Sequence, residues 1–252
     1  DYGNAEFNQL VENALQAEDI YIVIGPPGTG KTSYGMKNIL TEELLHANTN
    51  VLLLSYTNRA VDEICSKLVE EGIDFIRLGS DYSCEKAYRP YLLSERINQM
   101  EHPNKQLVIN LIKQTRVFCG TTTALSAALP LFELKQFSLA IIDEASQILE
   151  PHLLPLLCAT HNDECAIKRF VLIGDEKQLP AVVQQSAEES DVKDPQLNAI
   201  SLHNCRLSLF ERLLDLYGFN EDGSRNEQVC HMLTHQGRMH HDIAYFPSLN
   251  FY

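Results

Sequence analysis

Gly25-Pro26-Pro27-Gly28-Thr29-Gly30-Lys31-Thr32 fits the spacing G-x-x-x-x-G-K-[ST]. It follows a short β-branched run, Ile20 to Ile24, and precedes a helical stretch from about Lys31. That context turns a glycine-rich string into a phosphate cradle. Glycines let successive backbone N–H groups turn inward as an anion-binding nest. The N terminus of the following helix adds positive potential. Lys31 is then placed to reach the β- and γ-phosphates, and the Thr32 hydroxyl to bind Mg²⁺. Pro26, Pro27, Thr29 and Ser33 complete the expected nucleotide-binding stretch.

Two further blocks supply hydrolytic chemistry. Leu139-Ala140-Ile141-Ile142 is a buried-strand run that ends in Asp143 and Glu144. Neighbouring side chains of a strand point to opposite faces, but where the strand ends the chain turns and both acids can face phosphates. Asp143 is the expected Mg²⁺ holder and Glu144 the general base for an attacking water. A small-molecule kinase has no need of Glu144; a hydrolase does. Downstream, Val171 to Gly174 leads into Asp175-Glu176-Lys177-Gln178-Leu179-Pro180. The neutral amide of Gln178 can bond a γ-phosphate or the water without competing for the metal.

These residues need a scaffold that brings strand ends together. Apolar runs at 20–24, 51–55, 75–78, 117–120, 139–142 and 170–174 read as strands apolar on both faces, alternating with helical stretches. Among the helices, 4–16 carries Phe7, Leu10, Val11, Ala14 and Leu15 on one face. The stretch 59–71 carries Val61, Ile64, Cys65, Leu68 and Val69 on one face, with Gly72 where a cap is expected. The pattern predicts an α/β fold, a parallel sheet flanked by helices. Residues 81–116, polar and partly helical, read as a helical insertion. Residues 184–198 are acidic and poor in apolar side chains, and read as a mobile surface loop. Ser208 and Glu211 form a capping-box pattern that opens a helix ending at Gly218. Residues 219–227 read as a linker, followed by a new strand at Val229 to Leu233.

The 252 residues carry 34 acids against 20 bases, a formal charge of -14. A domain that held nucleic acid by bulk electrostatics alone is expected to be basic, so any such contact must be local or must rest on parts outside this sequence. The seven cysteines contain no C-x-x-C pair and suit a reducing, cytoplasmic setting rather than a disulfide framework. Cys230, His231, His235, His240 and His241 lie close together but show no recognised zinc spacing. No apolar run approaches the roughly 18 residues that cross a bilayer, so no membrane association is expected. The chain opens at Asp1 without a basic-then-apolar leader, and reads as an internal fragment.

The ordered blocks resemble superfamily 1 helicases, in particular the 1B branch of nonsense-mediated-decay RNA helicases and replication nuclease-helicases. GPPGTGKT resembles motif I, SYTNRAVDEI (55–64) motif Ia, CGTTTALS (119–126) motif Ib, DEAS motif II and GDEKQLP motif III. LTHQGRMH (233–240) resembles motif IV. The resemblance implies a RecA-like P-loop ATPase domain over 1–218, the linker 219–227, and at 228–252 the start of a truncated second RecA-like domain. It implies ATP and Mg²⁺ as ligands and Asn8 or Gln9 as adenine reader, Gln9 being the better chemical fit. Gln178 and Arg238 would lie at the γ-phosphate. Thr57, Asn58, Thr121, Thr122 and Thr123 would contact the backbone of a single strand, DNA in preference to RNA. Short hydroxyls and amides can grip phosphates without charge, which fits the acidic balance. The implied activity is an ATP-dependent helicase that steps along single-stranded nucleic acid, inactive or weak without the rest of the second domain. A nucleotide-dependent clamp without translocation is the alternative. The sequence departs from the family at Gly237, where an aromatic residue normally stacks on adenine, and at His241, where a proline is usual.

Overall fold

The computed structural model describes residues 4–237 together with 240, 245, 249 and 250. The chain divides into two compact units. The first comprises Asp1–Ile39, Glu144–Glu150 and Val171–Tyr252, the second Leu40–Asp143 and Pro151–Phe170.

In the second unit, strands β2 (Val51–Ser55), β3 (Phe75–Arg77), β4 (Val117–Thr121) and β5 (Leu139–Ile142) lie side by side in the order β3-β4-β2-β5. All three pairings are parallel. Val51 lies opposite both Val117 and Leu139, and Phe75 opposite Val117. Every residue of these strands is buried, the signature of a sheet covered on both faces. A small antiparallel ladder, β6 (Thr160–His161) with β7 (Glu164–Cys165), lies outside the main sheet.

Helix α1 (Ala5–Gln16) belongs to the first unit, α2 (Lys37–Leu45) starts there, and α3 (Asn58–Glu70) lies in the second. In α3 the buried face is Val61, Asp62, Ile64, Cys65 and Leu68. Val69, expected on that face, is 43% exposed. Asp62 is buried because the fully buried Arg77 donates to its Oδ1 from Nη2 (2.8 Å) and Nε (3.1 Å). The same guanidinium donates to the Ser83 carbonyl, and Asp62 Oδ2 accepts from Glu85 N. A buried charge is stable only when paired and bonded in this way. The pair therefore ties α3 to β3 and to the start of the segment 81–116. That segment includes α4 (Leu93–Asn98) and α5 (Lys105–Gln114).

In the first unit, β1 (Ile20–Ile24) lies between β8 (Phe170–Gly174, of which Val171–Gly174 fall in this unit) and β9 (Cys230–Met232). Here the structure corrects a boundary. Residues 228–252 were expected to begin a second domain after a linker, but their strand β9 pairs in parallel with β1, Ile22 opposite Cys230. Cys230 and Leu233 are fully buried, and Leu233 N donates to the Ile24 carbonyl. Edge strand β9 thus completes the first unit's own sheet. The acidic segment 184–198 holds two short helices, Ala187–Ser190 and Pro195–Ala199. Ser186 with Glu189 forms a capping box on the first, and Asp194 caps the second. The helix Leu209–Tyr217 carries the expected Ser208/Glu211 capping box.

Candidate functional site

In a parallel sheet, loops at the carboxyl ends of the strands collect ligands. In the first unit, the loop 25–30 follows β1, Asp175 and Gln178 follow β8, and residues 233–237 follow β9. Gly28 and Gly30 have φ of 80° and 79°, the left-handed region that favours glycine. Gly25 is needed for another reason. A Cβ there would lie 2.6 Å from Lys31 Cβ and 2.7 Å from its Cδ, so the lysine side chain folds back over a position without a side chain. Thr29 closes the turn, its hydroxyl donating to the Pro26 carbonyl at 2.8 Å.

After the loop the chain does not enter an α-helix directly. Lys31–Met36 is a π-helical turn, in which Tyr34 N and Gly35 N both donate to the Gly30 carbonyl, at 2.8 and 3.1 Å. Such wide turns recur at functional sites.

Lys31 Nζ lies 3.2 Å from Glu144 Oε1. This is an ion-pair distance without hydrogen-bond alignment. The amine is buried and has no aligned acceptor among the described residues. A buried ammonium without acceptors costs free energy, and phosphate oxygens would satisfy it. The lysine and the glycine cradle therefore fit a nucleotide polyphosphate. Glu144 adopts φ 54°, ψ 36°, uncommon for a residue with a side chain. Its Oε2 accepts from Gln147 Nε2 at 3.2 Å. Ser146 Oγ accepts from Asp175 N at 3.2 Å, linking the DEAS block to the segment after β8. Asp175 in turn fixes Gln178, whose Nε2 donates to Asp175 Oδ2 at 2.7 Å. The Gln178 Oε1 acceptor takes no part in this bond.

The segment after β9 runs beside the loop. Thr234 donates to Glu6 Oε1 from its N (2.7 Å) and Oγ1 (2.6 Å), and His235 Nδ1 lies 3.3 Å from Glu6 Oε2. Burial works against the Glu6 carboxylate, yet these bonds hold its pKa below the usual range. Gly237 N donates to the Gly28 carbonyl at 3.0 Å. No pattern in the sequence singled out Glu6, because its partners are more than two hundred positions away. Ser146, by contrast, was within a recognised block. Arg238 lies outside the described residues. Gln9 is exposed, and its Nε2 donates to Asn13 Oδ1 at 2.7 Å; the two line a cavity of about 400 Å³ with Gln16, Ala17, Glu227 and Gln228.

In the second unit, Asp143 is buried at the end of β5, its N donating to the Leu54 carbonyl. The adjacent strands β2 and β4 lead into Thr57-Asn58 and Thr121–Thr123. Thr57 caps α3 by accepting from Ala60 N (3.2 Å). Thr121 caps helix α6 (Thr122–Ser126) by accepting from Ala124 N (3.0 Å). A hydroxyl that accepts in a cap still has its own proton to donate. Thr57, Asn58 and Thr123 are exposed, whereas Thr122 is 1% exposed and its carbonyl accepts from Ser126 Oγ. The structure thus presents Thr57, Asn58 and Thr123 to solvent, buries Thr121 at the end of β4 and places Thr122 in the core.

No group of three or more His, Cys, Asp or Glu side chains poised for a metal ion occurs among the described residues. No helix of the described residues is long and apolar enough to cross a membrane.

The chain is similar to a DNA replication ATP-dependent helicase/nuclease, JHS1, of Arabidopsis thaliana. The two are 35% identical over 73% of this chain and 13% of the relative. It is 32% identical to the DNA replication ATP-dependent helicase/nuclease DNA2 of Gallus gallus, over 95% of this chain and 21% of the relative. The chain therefore spans about an eighth to a fifth of these relatives' length. A crystal structure of Bacteroides Pif1 bound to ssDNA aligns with 98% of this chain and 45% of its own, at 14% identity and a TM-score of 0.46. The motif resemblance agrees with the names of the curated relatives. A family model described as an AAA domain matches residues 3–110 and 93–186, more than half of the chain, and the chain belongs to that family.

Proposed function

We propose that this chain is the nucleotide-hydrolysing part of an ATP-dependent helicase that moves on single-stranded nucleic acid, DNA in preference to RNA. The observation that carries this reading is the buried Lys31 amine, without an aligned acceptor, 3.2 Å from Glu144 at the glycine cradle. ATP is the substrate. Lys31 binds its β- and γ-phosphates, and the loop N–H groups orient the chain of phosphates. The Thr32 hydroxyl and Asp143 would hold Mg²⁺, which when bound neutralises charge developing on the phosphates. Once phosphate oxygens replace it as partner of Lys31, Glu144 is released to take the proton of the attacking water. Gln178, fixed by Asp175, presents its Oε1 to the water or its amide to the γ-phosphate. Arg238 would complete the γ-phosphate contacts, and Gln9 would read the adenine edge.

Thr57, Asn58, Thr121 and Thr123 would grip the backbone of the strand through hydroxyls, an amide and the N-terminal N–H groups of α3 and α6. Binding of this kind needs no basic surface and suits a formal charge of -14. Residues beyond β9 would lead into a second RecA-like domain. The test is Glu144→Gln assayed for single-strand-stimulated ATP hydrolysis. Removal of a general base costs about 10²–10⁴-fold in turnover, with ATP affinity retained. An active Glu144→Gln variant would exclude Glu144 as the base. Strand binding that responds to nucleotide but never stimulates turnover would favour the clamp reading instead.

A further inference from the structure

The motif resemblance implies an aromatic ring at position 237, and this chain has glycine there. Gly237 is held against the loop by its bond to the Gly28 carbonyl, and offers no side chain there. A different ring stands at the cradle, against Gly30. With the γ-phosphate at Lys31 and Glu144, a chain of phosphates that follows the loop N–H groups toward the helix would carry its sugar and base to the side of Ser33 and Tyr34. Tyr34 is 58% exposed, a large aromatic surface left in solvent beside the cradle.

Its position is built rather than incidental. The π-helical turn Lys31–Met36 inserts one more residue per turn than an α-helix and so rotates Tyr34 relative to Lys31. One ring edge lies against Gly30, where a Cβ would meet Tyr34 Cδ2 at 2.8 Å. On another side Phe7 of α1 props the ring, with centroids 5.7 Å apart at an interplanar angle of 42°. Phe7 is itself buried, so the tyrosine leans on the core.

We infer that Tyr34 is the platform on which the base of the bound nucleotide stacks, the role that Gly237 cannot fill. The inference rests on the nucleotide site proposed above. Every base has a π face, so the contact favours nucleoside triphosphates over bare polyphosphate without strong selection among bases.

The experiment compares ATP with inorganic tripolyphosphate, titrated by calorimetry into the full chain and into Tyr34→Leu, Tyr34→Gln and Tyr34→Phe variants. Leucine retains apolar contact with Phe7, and glutamine serves if the leucine variant folds poorly. Loss of one stack should weaken ATP by about tenfold, equivalent to about 1.4 kcal/mol. Tripolyphosphate affinity should not change, and Tyr34→Phe, which retains a π face, should match the parent. Unchanged ATP affinity in Tyr34→Leu would overturn the inference. So would equal losses for ATP and tripolyphosphate, because the ring would then serve only to support the loop. A parent chain that binds tripolyphosphate but gains nothing from the nucleoside refutes the stack while keeping the phosphate site. A parent that binds neither ligand refutes the site itself.

Discussion

Replacing Gly25 by alanine tests whether the loop is shaped around Lys31. The backbone at Gly25 does not lie in the left-handed region, so alanine is conformationally admissible. The added methyl, however, would sit 2.6 Å from Lys31 Cβ and 2.7 Å from Cδ. Those distances are far inside van der Waals contact, and the nearest atom is the start of the side chain rather than its flexible end. Lys31 must therefore move as a whole, carrying Nζ away from the position where it meets Glu144. Inserting a methyl into a packed site typically costs about 1–3 kcal/mol. The strain falls on a loop whose ordered form matters chiefly when phosphates bind. Most of it should therefore appear as a weaker nucleotide complex, about 5- to 150-fold in Kd, with the melting temperature of the free chain little changed. Calorimetric titration with ATP, beside a thermal melt, separates the two. Parent-like affinity and stability in Gly25→Ala would show that the lysine does not fold back over this glycine in solution, and the account of the cradle would fail.

The strand track is tested best at Asn58 and Thr123, because Thr57 and Thr121 also cap helices and their loss costs about 1 kcal/mol of stability. Alanine at Asn58 and Thr123 should weaken single-strand binding without sequence preference and leave the salt slope almost unchanged; a slope reduced by a full unit would reveal a missed cation. At Gly237 a Cβ meets nothing within 4 Å and φ is not left-handed, so Gly237→Tyr should fold normally. It should tighten ATP by about tenfold if the base lies over this position; parent-like ATP titration of a folded variant would place the base elsewhere. Glu6, whose pKa is lowered by its bonds from Thr234, contributes stability that is present above its unfolded value of about 4.3 and lost as pH falls through the lower folded value. Protection of the Thr234 amide against hydrogen exchange, corrected for the intrinsic rate, should therefore drop in acid. In Glu6→Ala it should be absent at every pH, and persistent protection in that variant would mean the bond is not made.

What the sequence made legible are features governed by near neighbours. The phosphate loop is recognisable because glycine, lysine and threonine must follow one another at fixed spacing between a strand and a helix. Ser208 and Glu211 announce a helix start because a capping box spans four residues. The strands read correctly because burial on both faces leaves a continuous apolar run. What was hardest to read involves distant partners. β9 was assigned to a following domain because nothing local in Cys230–Met232 reveals that it pairs with Ile22–Ile24. Asp62 drew no reading from the sequence, because the Arg77 that pairs with it lies 15 positions on. Glu6 looks like any polar residue in a first helical turn until Thr234 arrives from the far end of the chain.

Glu144 shows a third kind of limit. Its type and its place after Asp143 suggested two adjacent acids with separate tasks, but a regular strand would simply send them to opposite faces. Strand β5 ends at Ile142, and Glu144, two residues on, has a positive φ. Asp143 retains its ladder bond to Leu54 and is buried, while the chain turns and brings the next carboxylate to the Lys31 amine. A non-glycine residue in that conformation costs of order 1–3 kcal/mol and persists where the surroundings over-determine it. Here Gln147 bonds its side chain, and Ser146, two residues on, bonds Asp175. The strain thus has an identifiable use in this site. It sends the carboxylates of Asp143 and Glu144 to different surroundings across a single peptide bond, and the residue types alone do not display the left-handed backbone that does so.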